Sequence, residues 1–289
     1  MKSKRWKKVA CSAAKTQKKG YSCFNYKEIL ELRKYWNTRH PDLKIRSKNG
    51  KMIWGHLKKY MSGFCYSERC WLQQRFMNNK VGKELLEHTF LVSAPDSWKR
   101  NPREWLNSLD LENIMRQYEN NNKEFLFIGP SPMDFDAKRL YNGCVWEDIC
   151  KFSLKEVINE KKRKIGFIFN LDPHYRSGSH WVSMFVDLTK KYIFYFDSNG
   201  DRAPKEINVL VDRIIEQGKE LKMKLKYVEN YPREHQMKNT ECGIYSIYMI
   251  TSLLKNEKKV EDFTSETKRR ITDDDMFKLR EKYFTHRHI

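Results

Sequence analysis

The sequence predicts an α+β fold in which a central mixed β-sheet is flanked by helices and preceded by a mainly helical N-terminal extension. Two runs of strand-forming side chains, residues 181–186 and 192–196, are joined by a short polar link that is typical of a hairpin. Buried-strand patterns at residues 164–170 and 225–228 predict two more strands, and residues 204–221 have a helical pattern. This interspersed order of strands and helices favours an α+β domain.

An apolar helix is predicted after the last of these strands. Apolar side chains recur there at helical spacing and can share one face: Ile244, Ile247, Tyr248 and Leu254. Cys242 stands at the start of this helix, where the helix dipole and the free backbone N–H groups favour a thiolate. Asn239 and Thr240 are the expected N-terminal caps. The sequence therefore places a candidate nucleophile at a helix N-terminus.

A histidine and an aspartate flank the predicted hairpin. If the hairpin is centred between Leu188 and Thr189, His180 lies directly opposite Asp197. Opposed side chains on one face of a hairpin lie about 4.5–5.5 Å apart at Cβ, which is within reach of a hydrogen bond between the two groups. A carboxylate in that position holds the imidazole in one tautomer, and the other ring nitrogen can take a proton from a nucleophile.

Gln236 supplies the remaining group that an acyl-transfer site needs. A loop can return its side-chain amide to the carbonyl under attack, where it would form an oxyanion hole with the backbone N–H of Cys242. His174 and His235 are alternative bases near His180 in the sequence. We discount both because neither lies on the hairpin opposite a carboxylate.

Each of these residues also has a purely structural interpretation. A lone cysteine at a helix start is most often a small buried residue, a His-Trp pair on a strand usually packs in a core or rim, and the segment Phe-Asp-Ser-Asn-Gly is a good turn. The order of His180, Asp197, Gln236 and Cys242 around a hairpin and a helix start is what favours catalysis. The sequence therefore predicts a thiol protease.

At these residues the chain resembles the SUMO-protease superfamily, the ubiquitin-like-protein-specific cysteine proteases that include the adenovirus-type proteinases. The matching segments are His180-Trp181, Phe196-Asp197-Ser198, and Gln236 followed six positions later by Cys242-Gly243. The resemblance implies a papain-like, adenovirus-proteinase-like fold with the cysteine helix beside the sheet. It also implies that His180 is the base, Asp197 its orienting group, Gln236 the oxyanion donor and Cys242 the nucleophile.

A narrower resemblance links the chain to the polyprotein-processing proteases of African swine fever virus and other large DNA viruses. It rests on residues 178–182, 185–187, 240–243 and 270–280, with a related segment at 130–135. It covers roughly residues 101–289 and is strongest from residue 166 onward. One departure is visible, since the African swine fever virus enzyme carries Asn at the position of Asp197, where this chain resembles the wider family.

Trp181 and Trp105 are the expected substrate-binding residues. By resemblance, two indoles wall a tunnel in which a flat backbone fits and any Cβ would clash, which selects Gly-Gly at the cleavage point. Trp181 is the stronger candidate, because a tryptophan at helical spacing such as Trp105 is more often simple core. Cleavage after Gly-Gly, or after a glycine and a small residue, follows as an expectation.

The 289 residues suffice for one catalytic domain and an extension. Residues 1–20 contain eight Lys or Arg and no acidic residue, which predicts a mobile basic tail. Residues 21–100 are interpreted as a small helical module, with a capping box at Asn25 and Glu28 opening a helix to about residue 37 and helical patterns near 51–61 and 67–90. Residues 101–289 form the expected catalytic domain.

Cysteine usage and hydropathy predict the surroundings. The sequence has no run that is long and apolar enough for a membrane span or a signal-peptide core, so no membrane association is expected. Seven cysteines, an odd number, suggest free thiols in a reducing compartment. Cys65 and Cys70 have no further ligands at finger-like spacing, so no metal site is expected. The viral resemblance implies a location in the virion and in the host cytoplasm, at the viral factory.

The net charge of +20 and the pI near 9.5 predict attraction to polyanions. The basic residues are spread along the chain and interleave with Tyr21, Trp36, Tyr60 and Trp71, a mixture that can stack on single strands. The alternative is a solvated basic face that aids solubility. Because adenovirus-type proteases can use DNA as an activator, nucleic acid is the one cofactor the sequence suggests, and none is expected to be required.

Three functions remain open from the sequence. The first is a viral endoprotease that cuts structural polyproteins during particle maturation. The second keeps the chemistry but removes ubiquitin or a ubiquitin-like protein from host conjugates. The third is a non-enzymatic basic protein that binds nucleic acid, including a catalytically dead relative.

Overall fold

The computed structural model describes residues 6–7, 9–15, 20–139 and 143–285. These residues form two compact units. The first contains the described residues up to Ala94 together with residues 282–285, and the second is Pro95–Glu281. The boundary predicted at residue 100 therefore lies a few residues too late, and the end of the predicted catalytic domain belongs to the first unit.

The first unit is mainly helical, as its periodicity predicted. Asn25 and Glu28 form the expected capping box, in which each side chain accepts a hydrogen bond from the other residue's backbone N–H. The pattern at residues 67–90 is divided by a 3₁₀ turn at Arg75–Met77. The helices are α1 Tyr26–Arg39, α2 Gly50–Tyr60, α3 Glu68–Leu72 and α4 Lys80–Thr89.

The described part of the predicted tail packs into this unit. The Trp6 ring lies 5.7 Å from that of Trp54 and 5.6 Å from that of Trp71, centroid to centroid. Lys15 Nζ lies 2.8 Å from a carboxylate oxygen of Glu28. The prediction of a mobile tail is therefore wrong for residues 6–7 and 9–15, because aromatic burial and a shielded ion pair hold them.

The last described residues close the first unit. Strand β1, Val92–Ser93, pairs in parallel with strand β7, Phe284–Thr285. The backbone N–H of Ala94 also donates to the carbonyl of Thr285 at 2.9 Å. This pairing joins segments that are far apart in the chain, so no local pattern could have revealed it.

The second unit contains the mixed sheet that the sequence predicted, with a fifth strand, β2, that was not predicted. Its order is β2-β3-β4-β5-β6, with the central pairs antiparallel and both outer pairs parallel. The strands are β2 Phe125–Pro132, β3 Lys164–Asn170, β4 Trp181–Asp187, β5 Tyr192–Phe196 and β6 Lys226–Glu229. The α+β prediction is confirmed.

Helices cover this sheet. They are α5 Ser108–Asn121, α6 Glu147–Cys150, α7 Leu154–Asn159, α8 Lys205–Glu220, α9 Cys242–Leu254, α10 Glu261–Thr264 and α11 Asp273–Tyr283. Helix α9 packs on β4 and is buried on every side except at Tyr248, so it is a central helix and not the one-faced helix that its spacing suggested. Among the described residues, no helix combines the length and the apolar character needed to cross a membrane.

The hairpin register differs from the predicted one. Asp187 opposes Tyr192 and Ser183 opposes Phe196, so the turn is centred one residue later than expected. The Asp187 carboxylate accepts hydrogen bonds from the backbone N–H groups of Thr189 and Lys190 at 3.0 and 2.8 Å, which fixes a four-residue loop. His180 and Asp197 are therefore not directly opposed residues of the ladder.

Six of the seven cysteines are paired in disulfides, which contradicts the prediction of free thiols. The pairs are Cys11–Cys23, Cys65–Cys70 and Cys144–Cys150. Cys242 is the free cysteine and is buried. The odd count thus reflects three bridges and one thiol, and Cys65 and Cys70 are partners of one another.

This pairing can be counted in solution. Protein unfolded in guanidinium without reductant should react with about one equivalent of a thiol reagent, and about seven after reduction. Cys242→Ala should lower both values by one. A value near seven before reduction would contradict the pairing.

Candidate active site

His180 and Asp197 meet at one edge of the sheet. His180 immediately precedes β4 and Asp197 immediately follows β5, and because these strands are antiparallel neighbours, both residues lie at the same edge. His180 Nε2 lies 2.7 Å from Asp197 Oδ1. The predicted pair is therefore present, although its side chains meet across the strand ends and not across the ladder.

Asp197 is buried and held from two sides. Its backbone N–H donates to Asn230 Oδ1 at 2.8 Å, and Asn230 Nδ2 donates to its carbonyl at 2.6 Å. The Asn199 N–H donates to the same Oδ1 that bonds His180, at 2.8 Å. The sequence analysis missed Asn230. Its position directly after β6, the parallel neighbour of β5, was the available signal, since parallel strands end at a common edge.

The His180 imidazole faces Cys242 on its other side. Burial lowers its pKa, but hydrogen bonds to Asp197 and Cys242 and the charges of both residues raise the pKa of His180 to about 10. Because Nε2 is bonded to Asp197, Nδ1 is the nitrogen left for the thiol. The ring therefore holds its proton at neutral pH, in a position to balance a thiolate.

Cys242 is the first residue of α9 and is 2% exposed. Neither Asn239 nor Thr240 caps the helix, so that prediction is wrong. Glu241 occupies the N-cap position, and its side chain makes no capping hydrogen bond. The backbone N–H groups at the helix start therefore remain available around the sulfur.

Gln236 is held beside the pair by Ser198. Ser198 Oγ donates to Gln236 Oε1 at 2.8 Å, and the Gln236 backbone N–H donates to the carbonyl of Ser198 at 2.8 Å. With its oxygen occupied, the amide presents its Nε2 as a donor. Gly200 makes this approach feasible, because it has a φ of +78° and a Cβ there would lie 2.8 Å from the backbone of Arg233.

The two predicted substrate-binding tryptophans line one cleft with His180. The cleft has a volume of about 640 Å³. Trp181 is buried and donates from Nε1 to the carbonyl of Leu106 at 2.9 Å, whereas Trp105 is 41% exposed. Leu106 packs on the start of α9. A Cβ added at Gly243 would lie only 3.1 Å from the Leu106 side chain. Gly243 therefore permits the tryptophan-bearing segment to lie against the cysteine helix.

The alternative histidines have other partners. His235 is fully buried, its Nε2 lies 2.8 Å from the carbonyl of Phe263, and burial lowers its pKa. His174 lines the far part of the cleft, with Nδ1 2.6 Å from Asp134 Oδ2. His174 lies outside the hairpin, as expected, and its carboxylate partner is Asp134. Cys242 instead contributes to the raised pKa of His180.

A buried thiol, an imidazole whose pKa it raises and a carboxylate bonded to the imidazole can perform nucleophilic acyl transfer. Together with the mixed sheet and the central cysteine helix, this arrangement defines the cysteine-protease class. Residues 133–288 match the Ulp1 protease family, C-terminal catalytic domain. The chain belongs to that family.

Several viral proteins are similar over most of their length. A thiol protease of Acanthamoeba polyphaga mimivirus, so named, is 28% identical over 86% of this chain and 85% of its own. The SUMO-1 cysteine protease of African swine fever virus is 26% identical over 85% of this chain and 92% of its own. The crystal structure of an African swine fever virus protease superposes with a TM-score of 0.62 at 23% identity, covering 96% of both chains. This likeness shows a shared fold.

The raised pKa of His180 predicts the alkaline limit of activity. The imidazolium is present below the pKa and is lost as the pH rises through about 10, so kcat/KM should fall across that range. Asp197→Asn removes one group that raises this pKa. Its alkaline limb should move to lower pH, and its optimal kcat/KM should fall by about 10²-fold.

A pH profile of peptide hydrolysis, extended on the alkaline side past the pKa of about 10, would measure both effects. Asp201→Asn is the matched control, because Asp201 lies on the same loop but is exposed. An alkaline limb that stays in place in Asp197→Asn would contradict the assignment.

Proposed function

We propose that this protein is a cysteine endopeptidase that cleaves after Gly-Gly or Gly-small pairs and processes viral structural polyproteins during particle maturation. The observation that carries the chemistry is the 2.7 Å bond between His180 Nε2 and Asp197 Oδ1, in a ring whose pKa is also raised by Cys242. The viral relatives support the biological setting. Action in the virion and in the host cytoplasm, at the viral factory, is part of the proposal.

Cys242 would act as the nucleophile and His180 as its proton acceptor. In the resting enzyme the thiol proton has already passed to Nδ1, so the sulfur attacks the carbonyl carbon of the scissile bond as a thiolate. Gln236 Nε2 and the backbone N–H of Cys242 would stabilise the negative oxygen. His180 then gives the proton to the leaving amine, which leaves a thioester on Cys242. A water molecule that loses a proton to His180 hydrolyses this thioester, and the thiolate of Cys242 and the imidazolium of His180 are restored.

Asp197 would orient the ring throughout these steps. It is 1% exposed and fixed by Asn230, so it can keep the Nε2 proton directed toward itself and leave Nδ1 for the sulfur. These residues supply the nucleophile, the base and the oxyanion donor. The proposed bond-breaking step therefore needs no cofactor.

Trp105 and Trp181 would select the substrate backbone. Both indoles line the cleft that reaches His180, and glycine is the residue that allows a chain to pass between two aromatic faces. The alternative substrate is a ubiquitin-like conjugate, which the name of the African swine fever virus relative favours. Both substrate types can present a Gly-Gly end to the same cleft.

The first experiment compares cleavage of Gly-Gly peptides with cleavage of SUMO- and ubiquitin-derived substrates. We expect peptide cleavage at the highest kcat/KM, complete loss in Cys242→Ala, and a loss of about 10²-fold when alanine replaces either glycine. Ser252→Ala, on the same helix but beyond its first turns, is the control for Cys242→Ala. A clear preference for folded modifiers would move the protein to the deconjugating enzymes, and cleavage that survives in Cys242→Ala would refute the proposed nucleophile.

We also propose that the first unit binds nucleic acid without sequence preference and can thereby activate the enzyme. Residues 1–94 carry 22 Lys and Arg against six Asp and Glu, so most of the net charge of +20 resides there, although basic residues occur along the whole chain. The prediction of an aromatic surface that stacks on single strands is wrong in part. Trp36 and Trp71 are buried in the core of the unit, so contact would be to phosphates.

One segment of the first unit is built for such contacts. The backbone around Ile45 is fixed on α1, because Ile45 exchanges hydrogen bonds of 2.7 and 3.0 Å with the Asn37 side chain. Ile45 is buried, and the alternation of an extended segment leaves Lys44, Arg46 and Lys48 exposed. Three cations at regular spacing on a fixed backbone could follow a phosphate chain.

Binding would be tested with the whole protein and a short fluorescent single-stranded DNA at several salt concentrations. Replacing Lys44, Arg46 and Lys48 together with Gln should weaken binding by about tenfold and flatten the salt dependence. The matched control replaces Lys222, Lys224 and Lys226, which are exposed at the same spacing in the second unit. Equal effects of the two triple variants, or peptide cleavage indifferent to added DNA, would remove this proposal.

A further inference from the structure

A buried ion network lies directly before Cys242. The Glu241 side chain is fully buried, and its Oε2 accepts a hydrogen bond from Arg280 Nε at 2.8 Å. Its Oε1 lies 3.4 Å from Arg103 Nη1 and accepts from Thr240 Oγ1 at 3.2 Å. Three chain segments that are far apart in sequence therefore meet at the residue that precedes the proposed nucleophile.

The guanidinium groups in this network are held by their own neighbours. Arg280 lies 4.6 Å above the Trp98 ring, is 3% exposed, and donates from Nη2 to the carbonyl of Thr240 at 3.2 Å. Arg103 lies 4.0 Å above the Phe277 ring, and its Nη2 donates to Asp274 at 3.1 Å. Both cations are thus fixed in place from α11 and from the segment that precedes α5.

Glu241 carries a negative charge one residue before Cys242, where the proposed mechanism requires a negative charge on the sulfur. A buried carboxylate next to a thiolate would repel it, and a buried carboxylate without a partner is strongly destabilising. The Glu241 side chain does not cap its own helix, so its partners are the arginines and Thr240. Its charge is therefore compatible with a thiolate at Cys242 because Arg280 and Arg103 balance it.

We propose that Arg280, Arg103 and Glu241 are positioning residues that keep the Cys242 thiolate formed and fix the start of α9. The proposal rests on the assignment of Cys242 as the nucleophile. Arg280 neutralises the carboxylate, and Arg103 connects it to the segment that carries Trp105 and Leu106. The network would thus place the nucleophile and one wall of the cleft relative to each other.

Other charged groups face the same region and must stay constant in any test. His180 and Asp197 lie on the sheet side of the sulfur. Burial raises the pKa of the Asp110 carboxyl on α5, and the positive charge of Arg280 lowers it by a smaller amount. Lys238 lies 3.9 Å from Asp274, on the outer side of the network.

The test measures alkylation of Cys242 by iodoacetamide as a function of pH, with the label located by mass spectrometry. No peptide substrate is needed, so the result does not depend on the proposed substrate. Protein that has not been reduced is used, because the other six cysteines are then paired. Peptidase activity of Cys242→Ala, measured separately, tests the proposed nucleophile itself.

Opposite shifts are expected from the two halves of the ion pair. Arg280→Gln leaves the carboxylate unbalanced, so the acid limb of the alkylation profile should move up by about one pH unit, and the rate below it should fall about tenfold. Glu241→Gln leaves the guanidinium groups in excess, so the acid limb of its alkylation profile should move to lower pH. The double variant should return close to wild type, and Arg280→Lys should keep the wild-type limb.

Two exposed residues provide matched controls. Arg269→Gln removes an arginine that pairs with Asp275 at the surface, and Glu216→Gln removes a glutamate that pairs with Lys219. Neither should move the profile. Shifts of the same sign in the two single variants, no shift in folded variants, or a double variant that keeps the Arg280→Gln shift would each overturn the proposal. If thermal melting shows that Arg280→Gln does not fold, the Glu241→Gln profile alone tests the proposal. An acid limb that moves to lower pH would support it, and an unchanged limb would overturn it.

Discussion

The antiparallel pairing of β4 with β5 is the constraint on which the site depends. It brings the residue before one strand and the residue after the other to the same edge of the sheet, and there His180 and Asp197 bond at 2.7 Å. Helix α9 runs along β4, and Ser246 Oγ near its start donates to the carbonyl of Trp181 at 3.3 Å. The same edge therefore receives the imidazole, the carboxylate and the thiol.

Each group at this edge is fixed by a neighbour that takes no part in bond breaking. Asn230 fixes the backbone of Asp197, and Ser198 fixes the amide of Gln236. Leu106 accepts the indole N–H of Trp181 and packs on the start of α9. Buried polar groups that are paired in this way are costly to disturb, so these hydrogen bonds stabilise the positions of the site residues.

The two units show different balances of charge. In the second unit, acidic residues nearly equal basic ones, and the buried charges near the cysteine are paired. The first unit carries the excess of lysine and arginine on its surface while its tryptophans form the core. The candidate active site and most of the net positive charge thus lie in different parts of the chain. The first unit depends on a segment from the far end of the sequence, since β7 pairs with β1.

Local periodicity and residue order were enough to predict the α+β class, the hairpin and the cysteine helix, and to select His180, Asp197, Gln236 and Cys242 as candidate site residues. The hairpin register, the three disulfides and the place of residues 282–285 in the first unit required the tertiary structure. So did the contacts of Asn230 with Asp197 and of Arg280 with Glu241. These features depend on burial and on contacts between distant segments, and neither leaves a periodic signal in the chain.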